Sequence, residues 1–251
     1  MPLTKTDQYV RNVKLLRQNI PYINRYPFDL PAIQSLDVFD FHPQVTYLIG
    51  ENGMGKSTLL EAIAIAAGFN PEGGTFNFNF STHDSHSILE EYLRVVKGVR
   101  KPKDGFFLRA ETYYNVATHI EKLDQDSGGP RIIDHFGGTS LHEQSHGESF
   151  FAAFLNRFRG KGLYIMDEPE AALSPLRQLS MLSRIHELVQ QDSQFIIATH
   201  SPVLMAYPNS IIYEFSQDGI QEKELEHTNH YLLLKQFFDD KERILHHLFN
   251  E

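Results

Sequence analysis

The run Val45-Thr46-Tyr47-Leu48-Ile49 leads directly into Gly50-Glu51-Asn52-Gly53-Met54-Gly55-Lys56-Ser57, and a helix-compatible stretch from Ser57 to Ala67 follows before Gly68. Glycine, four residues, glycine, lysine and serine, set between an apolar strand and a helix, is the phosphate-loop pattern. It constrains the fold strongly, because such a loop works only at the carboxyl end of a buried strand with a helix N-terminus behind it. The glycines let consecutive backbone N–H groups turn inward around phosphate oxygens, the helix end adds partial positive charge, and Lys56 adds a full one. Ser57 is suited to hold Mg²⁺, with Thr58 next to it in the first turn. A glycine-rich turn without a ligand is the alternative, and the Lys-Ser pair in register argues against it. A nucleoside triphosphate is the implied ligand.

A chain of 251 residues can bury a full core, which suits one large domain, 1–251, with an inserted subdomain at about 70–140. The sequence has no cysteine, so disulfides and thiolate metal sites are excluded and a reducing, cytoplasmic setting is expected. The longest apolar stretch, Ala62 to Ala67, is too short to cross a bilayer, and no membrane insertion is expected. Lys plus Arg number 23 against 32 for Asp plus Glu, a net charge of −9 that disfavours a broad grip on nucleic acid. The cluster Arg94, Lys97, Arg100, Lys101 and Lys103 is a local exception. A solvated loop accounts for it, and nucleic acid or another partner is the alternative.

The first fifty residues read as paired strands, Tyr9 to Leu16, Ile33 to Phe41 and Val45 to Ile49, broken by Pro21, Pro27 and Pro31. Asn70 to Gly74 reads as a turn, Phe76, Phe78 and Phe80 as alternate positions of a half-buried strand, and Ser87 to Val96 as an amphipathic helix. A short strand at Phe106 to Leu108, a helix at Tyr113 to Leu123 and a polar, glycine-rich loop at Asp124 to Thr139 follow. From Ser145 the order becomes regular. Leu163 to Met166 and Phe195 to Ala198 are too apolar for a one-sided sheet and read as central parallel strands. Between them Leu176, Leu179, Leu182, Ile185 and Val189 lie at helical spacing, one face for packing on the sheet. Ile211 to Tyr213 adds a strand, and helices near Tyr231 to Phe238 and Arg243 to Phe249 close the chain.

Three further segments carry chemistry. Leu163 to Met166 ends in Asp167 and Glu168, at the place where open α/β sheets bind ligands. There Asp167 would hold Mg²⁺ together with Ser57, and Glu168 would polarise the water attacking the γ-phosphate. A helix cap before Pro169 is the plain alternative. Phe195 to Ala198 delivers His200 at its tip, within reach of the same phosphate if the two strands are neighbours. Ser145 to Ser149 precedes a helix from Phe150 to Phe158 and forms either a second anion site or a simple cap. Thirteen histidines include the three-residue spacings His83/His86 and His227/His230, neither with a convincing third ligand for a transition metal.

In order, Gly50 to Ser57, Ser145 to Ser149, Leu163 to Pro169 and Thr199-His200 resemble the ABC-type ATPase family over most of the chain. The resemblance implies a P-loop α/β fold: a central, mostly parallel sheet flanked by helices, an N-terminal antiparallel β portion and a small helical insertion. It implies ATP and Mg²⁺ as cofactors and a homodimer closed around ATP, in which Ser145 and Gly147 of one copy cap the γ-phosphate held by the other. It also implies an aromatic stacked on adenine, for which Tyr26, Phe28 and Phe41 are candidates. Asp167-Glu168-Pro169-Glu170-Ala171-Ala172-Leu173 and the signature Ser145-His146-Gly147-Glu148 look closer to the soluble RecF and chromosome-maintenance branch, with roles in DNA maintenance or phage defence, than to transporter subunits. Within that branch the likeness is to compact, stand-alone ATPases. Three departures stand out. No glutamine lies between Gln44 and Gln125, so Glu111 is the candidate replacement for the family's Mg²⁺-sensing loop glutamine. Ser174 stands where the family has an aspartate, and His146 where it has a glycine.

Overall fold

The computed structural model describes residues 2–76, 87–109, 124, 146–171 and 173–250. In chain order these form β1 (Val10–Leu15), α1 (Pro31–Ser35), β2 (Val38–Asp40), β3 (Val45–Gly50), α2 (Lys56–Ala67), β4 (Leu93–Lys97), β5 (Asp104–Arg109), α3 (His146–Arg157), β6 (Gly162–Asp167), α4 (Pro175–Gln190), β7 (Gln194–Ala198), α5 (Pro202–Met205), β8 (Ser210–Ser216), β9 (Gly219–Lys223), α6 (Asn229–Asp239) and α7 (Lys241–Asn250). The expected helix at Tyr113 to Leu123, the polar loop after it apart from Asp124, and Phe78, Phe80, His83 and His86 lie outside the described residues, as does most of the expected insertion.

The central sheet runs β5-β6-β7-β3-β8-β9, with every pair parallel except the β8-β9 hairpin at its edge. All residues of β3, β6 and β7 are buried, because the two faces to which alternate side chains of a strand point are both covered. Tyr47, Ile49, Phe106, Leu108, Tyr164, Met166, Phe195 and Ile197 face one side, where Phe154 of α3, Phe158 just after it, and Met181, Ile185 and Leu188 of α4 cover them. Leu48, Phe107, Leu163, Ile165, Ile196 and Ala198 face the other, against α2. Burying each such side chain contributes about 1.5–3 kcal/mol.

Helix α2 is apolar nearly all round because it has a layer on both sides. It touches β3, β6 and β7 beneath and β4 above, so even Lys56 and Glu61 are buried along with Leu59, Leu60 and Ile63. The upper layer is a small antiparallel sheet, β2-β1-β4. Gly68 ends the helix in the left-handed conformation, its N–H donating to Ala64 and Ile65 carbonyls.

Gln194, at the start of β7, ties the two sheets together. Its amide oxygen accepts from the N–H groups of Tyr9 and Val10, each at 3.0 Å, while its nitrogen donates to the carbonyls of Val10 at 2.8 Å and His42 at 3.1 Å. Beside it, Asp104 accepts from Arg157 at 2.9 Å and from the Tyr164 hydroxyl at 2.8 Å.

The structure corrects several expectations. Ile33 to Phe41 is not one strand: Pro31 opens α1, and only Val38–Asp40 pairs with β1. Ser87 to Val96 is not a helix, since Ser87 caps a single 3₁₀ turn, Ile88–Tyr92, and Leu93–Lys97 pairs antiparallel with β1. On α4, Leu176 and Leu179 are 73% and 54% exposed, and the packing face is Met181, Ile185, Leu188 and Val189. The basic cluster is not a loop throughout, because Arg94 and Lys97 belong to β4. Within it Lys97 donates to the Ala67 carbonyl at 3.3 Å and Arg100 pairs with Asp7 at 3.5 Å. The β8-β9 hairpin extends the strand expected at Ile211 to Tyr213.

Candidate nucleotide site

The sheet order makes β6, β7 and β3 consecutive neighbours, so their carboxyl ends deliver Asp167 and Glu168, His200, and the phosphate loop to one place. Gly50 leaves β3 with φ +132°, and a Cβ there would lie 2.2 Å from the Phe215 carbonyl oxygen of β8, so only glycine passes. Gly53 and Gly55 also have positive φ, and α2 begins directly after Gly55. Tyr26, Leu30, Asn52, Gly53, Gly55, Lys56, Ser57, Thr58 and Glu168 line a cleft of about 420 Å³.

Lys56 turns its ammonium back into the loop, where Nζ donates to the carbonyls of Gly50 at 2.7 Å and Glu51 at 2.9 Å. Burial pulls its pKa down, while the carboxylates of Glu168 and Asp167 oppose that shift. Ser57 Oγ donates to Asp167 Oδ1 at 3.0 Å across 110 residues of sequence. The other Asp167 oxygen lies 3.7 Å from Nε of Arg109, whose guanidinium also pairs with Glu61 of α2. Neither Arg109 nor Glu61 is recognisable from sequence as part of the site. Their meeting follows from the register that pairs Arg109 with Asp167 and from the buried position of α2.

Glu168 has φ +48°, the left-handed region that costs a residue with a Cβ about 1 kcal/mol. Its N–H donates to the Ala198 carbonyl at 2.9 Å, and its carboxylate lies 3.5 Å from His200 Nε2. His200 is held from behind. Its N–H donates to Glu170 Oε1 at 2.5 Å and its Nδ1 lies 3.2 Å from Nε2 of His230. Burial and the nearby Lys56 charge lower the pKa of His200, whereas Glu168 raises it. Burial likewise lowers His230 and raises Glu170. Like Arg109 and Glu61, Glu170 and His230 are residues to which sequence reading assigned no role here.

Of the three candidate adenine-stacking aromatics, Phe28 and Phe41 are core residues at 2% and 4% exposure, whereas Tyr26 is 61% exposed. Tyr26 lines the cleft and its hydroxyl lies 3.2 Å from Thr58 Oγ1. Met54 faces a second cavity, of about 300 Å³, shared with Gly50, Glu51, Glu214 and His230. Gly147 falls in the first turn of α3, whereas Ser145 and Glu111 lie outside the described residues. Ser174 caps α4, accepting from the Arg177 N–H at 3.4 Å. Among the described residues no group of three or more His, Cys, Asp and Glu could hold a metal by themselves, and no helix is long and apolar enough to cross a membrane.

The AAA domain family matches residues 28–244, most of the chain. ABC transporter E family member 1 of Arabidopsis thaliana is 29% identical over 185 residues, covering 67% of this chain, which spans only 30% of that protein's length. An uncharacterized ABC transporter ATP-binding protein of Haemophilus influenzae is 24% identical over 222 residues, covering 82% of this chain and 83% of its own. Among solved structures, the SMC head domain from Thermotoga maritima aligns over 86% of this chain and 100% of its own at 14% identity and a TM-score of 0.47. With its phosphate loop, acidic strand end and mostly parallel sheet, the chain belongs to the AAA domain family as a nucleotide-binding domain of the ABC ATPase type.

Proposed function

We propose that this chain binds ATP with Mg²⁺ in the cleft at the ends of β3, β6 and β7, hydrolyses it, and cycles between an ATP-closed homodimer and separate copies. One observation carries the reading: Lys56 and Glu168 line a single cleft, and Ser57 donates to Asp167 at 3.0 Å beside it. A hydroxyl and a carboxylate are hard oxygen donors of the kind Mg²⁺ takes alongside phosphate and water. Ser57 and Asp167 would hold the ion, which when bound supplies charge neutralisation to the phosphate oxygens. Glu111, the candidate substitute for the family's loop glutamine, would be a further ligand, with a surface role as the alternative.

The chain's own residues do the rest. Lys56 exchanges the carbonyls of Gly50 and Glu51 for phosphate oxygens, and the N–H groups from Gly53 to Thr58 surround the phosphates from the loop side. Tyr26 stacks on adenine. Glu168 orients a water and accepts its proton as the new oxygen–phosphorus bond forms and the bond to the ADP oxygen breaks, giving ADP and phosphate. His200 directs an N–H at the transferred phosphoryl group. Ser145 and Gly147 of a second copy close the site, a role supported by the family resemblance and by Gly147 standing in the first turn of α3, where backbone N–H groups attract anions.

Single-turnover hydrolysis of Mg-ATP by the purified chain, with sedimentation to follow assembly, tests this. Replacing Glu168 by Gln should slow hydrolysis about 100-fold or more while nucleotide binding persists and an ATP-dependent dimer accumulates. Normal hydrolysis in that variant overturns the assignment of the base. Lys56→Ala should abolish measurable nucleotide binding at micromolar ATP, and unchanged affinity would remove the phosphate-loop role. No hydrolysis by the unaltered chain, with tight ATP binding, supports instead a nucleotide-gated binding switch.

DNA maintenance or phage defence is the setting that the signature residues favour, and ATPase rates with and without DNA test it. The transporter names of the relatives favour a second setting, an ATP-binding subunit on a membrane partner. Stable co-purification with an integral membrane protein would select that one.

A further inference from the structure

The contact between His200 and His230 reaches from the site into the C-terminal helices, and its chemistry is decided by counting one proton. Nδ1 of His200 and Nε2 of His230 are 3.2 Å apart, a hydrogen-bond distance in which only one nitrogen carries hydrogen. Two neutral arrangements are available. If His200 donates from Nδ1, its Nε2 turns a bare lone pair toward the Glu168 carboxylate 3.5 Å away, and His230 is left with a buried Nδ1–H that has no partner among the described residues. Both consequences are unfavourable, since lone pair and carboxylate repel and an orphaned buried donor costs about 1–3 kcal/mol. If His230 donates from Nε2, His200 carries its hydrogen on Nε2, pointing at Glu168, and the buried Nδ1 of His230 is merely an unfilled acceptor. The second arrangement wins on both counts.

His230 is also held firmly enough to impose the choice. It occupies the first turn of α6, where buried Thr228 caps the helix by accepting from the Tyr231 N–H and donates its own hydroxyl hydrogen to the Leu225 carbonyl. The preceding N–H, of Asn229, donates to Glu214 of β8 at 3.3 Å, and Glu214 is fixed by Lys223 at 2.9 Å. The backbone that carries the ring is therefore anchored from the β8-β9 edge of the sheet, on the other side of β7 and β3 from the strand that leads to Glu168. Meanwhile Nε2 of His200 is buried with no hydrogen-bond partner among the described residues, although it faces the cleft's carboxylate.

We propose that His230 is a positioning residue that locks His200 in the tautomer bearing hydrogen on Nε2, so that the first turn of α6 sets whether the site presents a donor to the phosphoryl group. The proposal rests on the reading of His200 as that donor, and extends the site to a helix pair that the four sequence motifs do not include. Thus a displacement of α6 would release the tautomer preference without touching the phosphate loop.

Three variants at one position test it with two readouts. His230→Gln keeps an N–H donor, His230→Glu has nearly the same shape but only accepts, and His230→Ala does neither. Long-range ¹H–¹⁵N spectra of the full chain report the His200 tautomer directly, without turnover. The expected result is hydrogen on Nε2 in the unaltered chain and in the Gln variant, a mixture in the Ala variant and hydrogen on Nδ1 in the Glu variant. Single-turnover hydrolysis should follow the same order, within about threefold of normal for Gln and about tenfold or more lower for Ala and Glu, with ATP affinity held within about twofold. Hydrogen on Nδ1 of His200 in the unaltered chain overturns the proposal, and so do equal tautomer populations in the Gln and Ala variants. Should the Glu variant fail to fold, the Gln and Ala pair still decides. Normal hydrolysis by His200→Ala would remove the assumed role of His200 and with it the catalytic half of the inference. The spectra would still report on the contact, so the two failures are distinguishable.

Discussion

The two ends of the central sheet treat buried polar groups in opposite ways. At the amino ends of its strands, Gln194 makes four hydrogen bonds and Asp104 joins Arg157 and the Tyr164 hydroxyl. At the carboxyl ends, Nε2 of His200 and Oε2 of Glu170 are buried without a partner among the described residues, and Glu168 sits in the left-handed region. Native interiors pair nearly all such atoms, and unpaired ones concentrate where a ligand completes them. One end of the same strands therefore holds the molecule together and the other keeps bonding capacity in reserve.

The largest stability effect should come from breaking the satisfied end. Gln194→Leu leaves the N–H groups of Tyr9 and Val10 and the carbonyls of Val10 and His42 without that partner, in a region where Tyr9 and Val10 are 4% and 1% exposed. Urea unfolding should show a loss of about 2–5 kcal/mol, while ATP affinity of the remaining folded protein stays unchanged. A loss below about 0.5 kcal/mol would show that this end does not depend on its polar network.

That network also marks where sequence reading stops. The phosphate loop, Asp167, Glu168 and His200 were legible because each sits at the end of an apolar run, and a strand's end is visible in its own residues. Gln194 was not, because its value lies in meeting Val10 of β1, which is 184 residues away in sequence. His230 and Arg109 were hidden for the same reason. Among the elements, Ser87 to Val96 read as an amphipathic helix, yet the pairing of Leu93–Lys97 with β1 overrides that local pattern. Leu176 and Leu179 share the helical stripe but stay exposed in the first turns of α4, whose buried positions begin at Met181. The β9 strand, Gly-Ile-Gln-Glu-Lys, is a sheet edge with mostly polar residues, so no apolar alternation announced it.

The reserved end should answer to mutation in the opposite direction. Glu168→Gly removes the cost of a left-handed φ of +48°, whereas Glu168→Ala keeps it. The Gly variant should be more stable than the Ala variant by about 1 kcal/mol in urea unfolding, with hydrolysis abolished in both. Equal stabilities would mean that the backbone at Glu168 relaxes once the side chain is gone, and the strain would then belong to the carboxylate's contacts.

Glu170 gives the smallest and most diagnostic effect. Burial raises its pKa above the ordinary carboxylate value, against the lowering influence of the His200 N–H that it accepts. A carboxyl group with a raised folded-state pKa favours the folded state below its unfolded pKa and loses that advantage as pH climbs through the folded value. At neutral pH the folded protein therefore bears the cost of a buried, partly unpaired carboxylate. Glu170→Gln keeps a carbonyl oxygen for the His200 N–H and removes the charge, so it should raise stability at pH 7 by less than Gln194→Leu lowers it. The gain should shrink as pH falls through the raised folded value and vanish below the ordinary carboxylate value, where Glu170 is neutral in both states. Unfolding curves at several pH values check this. A gain that stays constant with pH would assign the effect to packing instead. A loss at pH 7 would mean that the Glu170 charge is needed by His200, joining it to the groups that the site holds ready for its ligand.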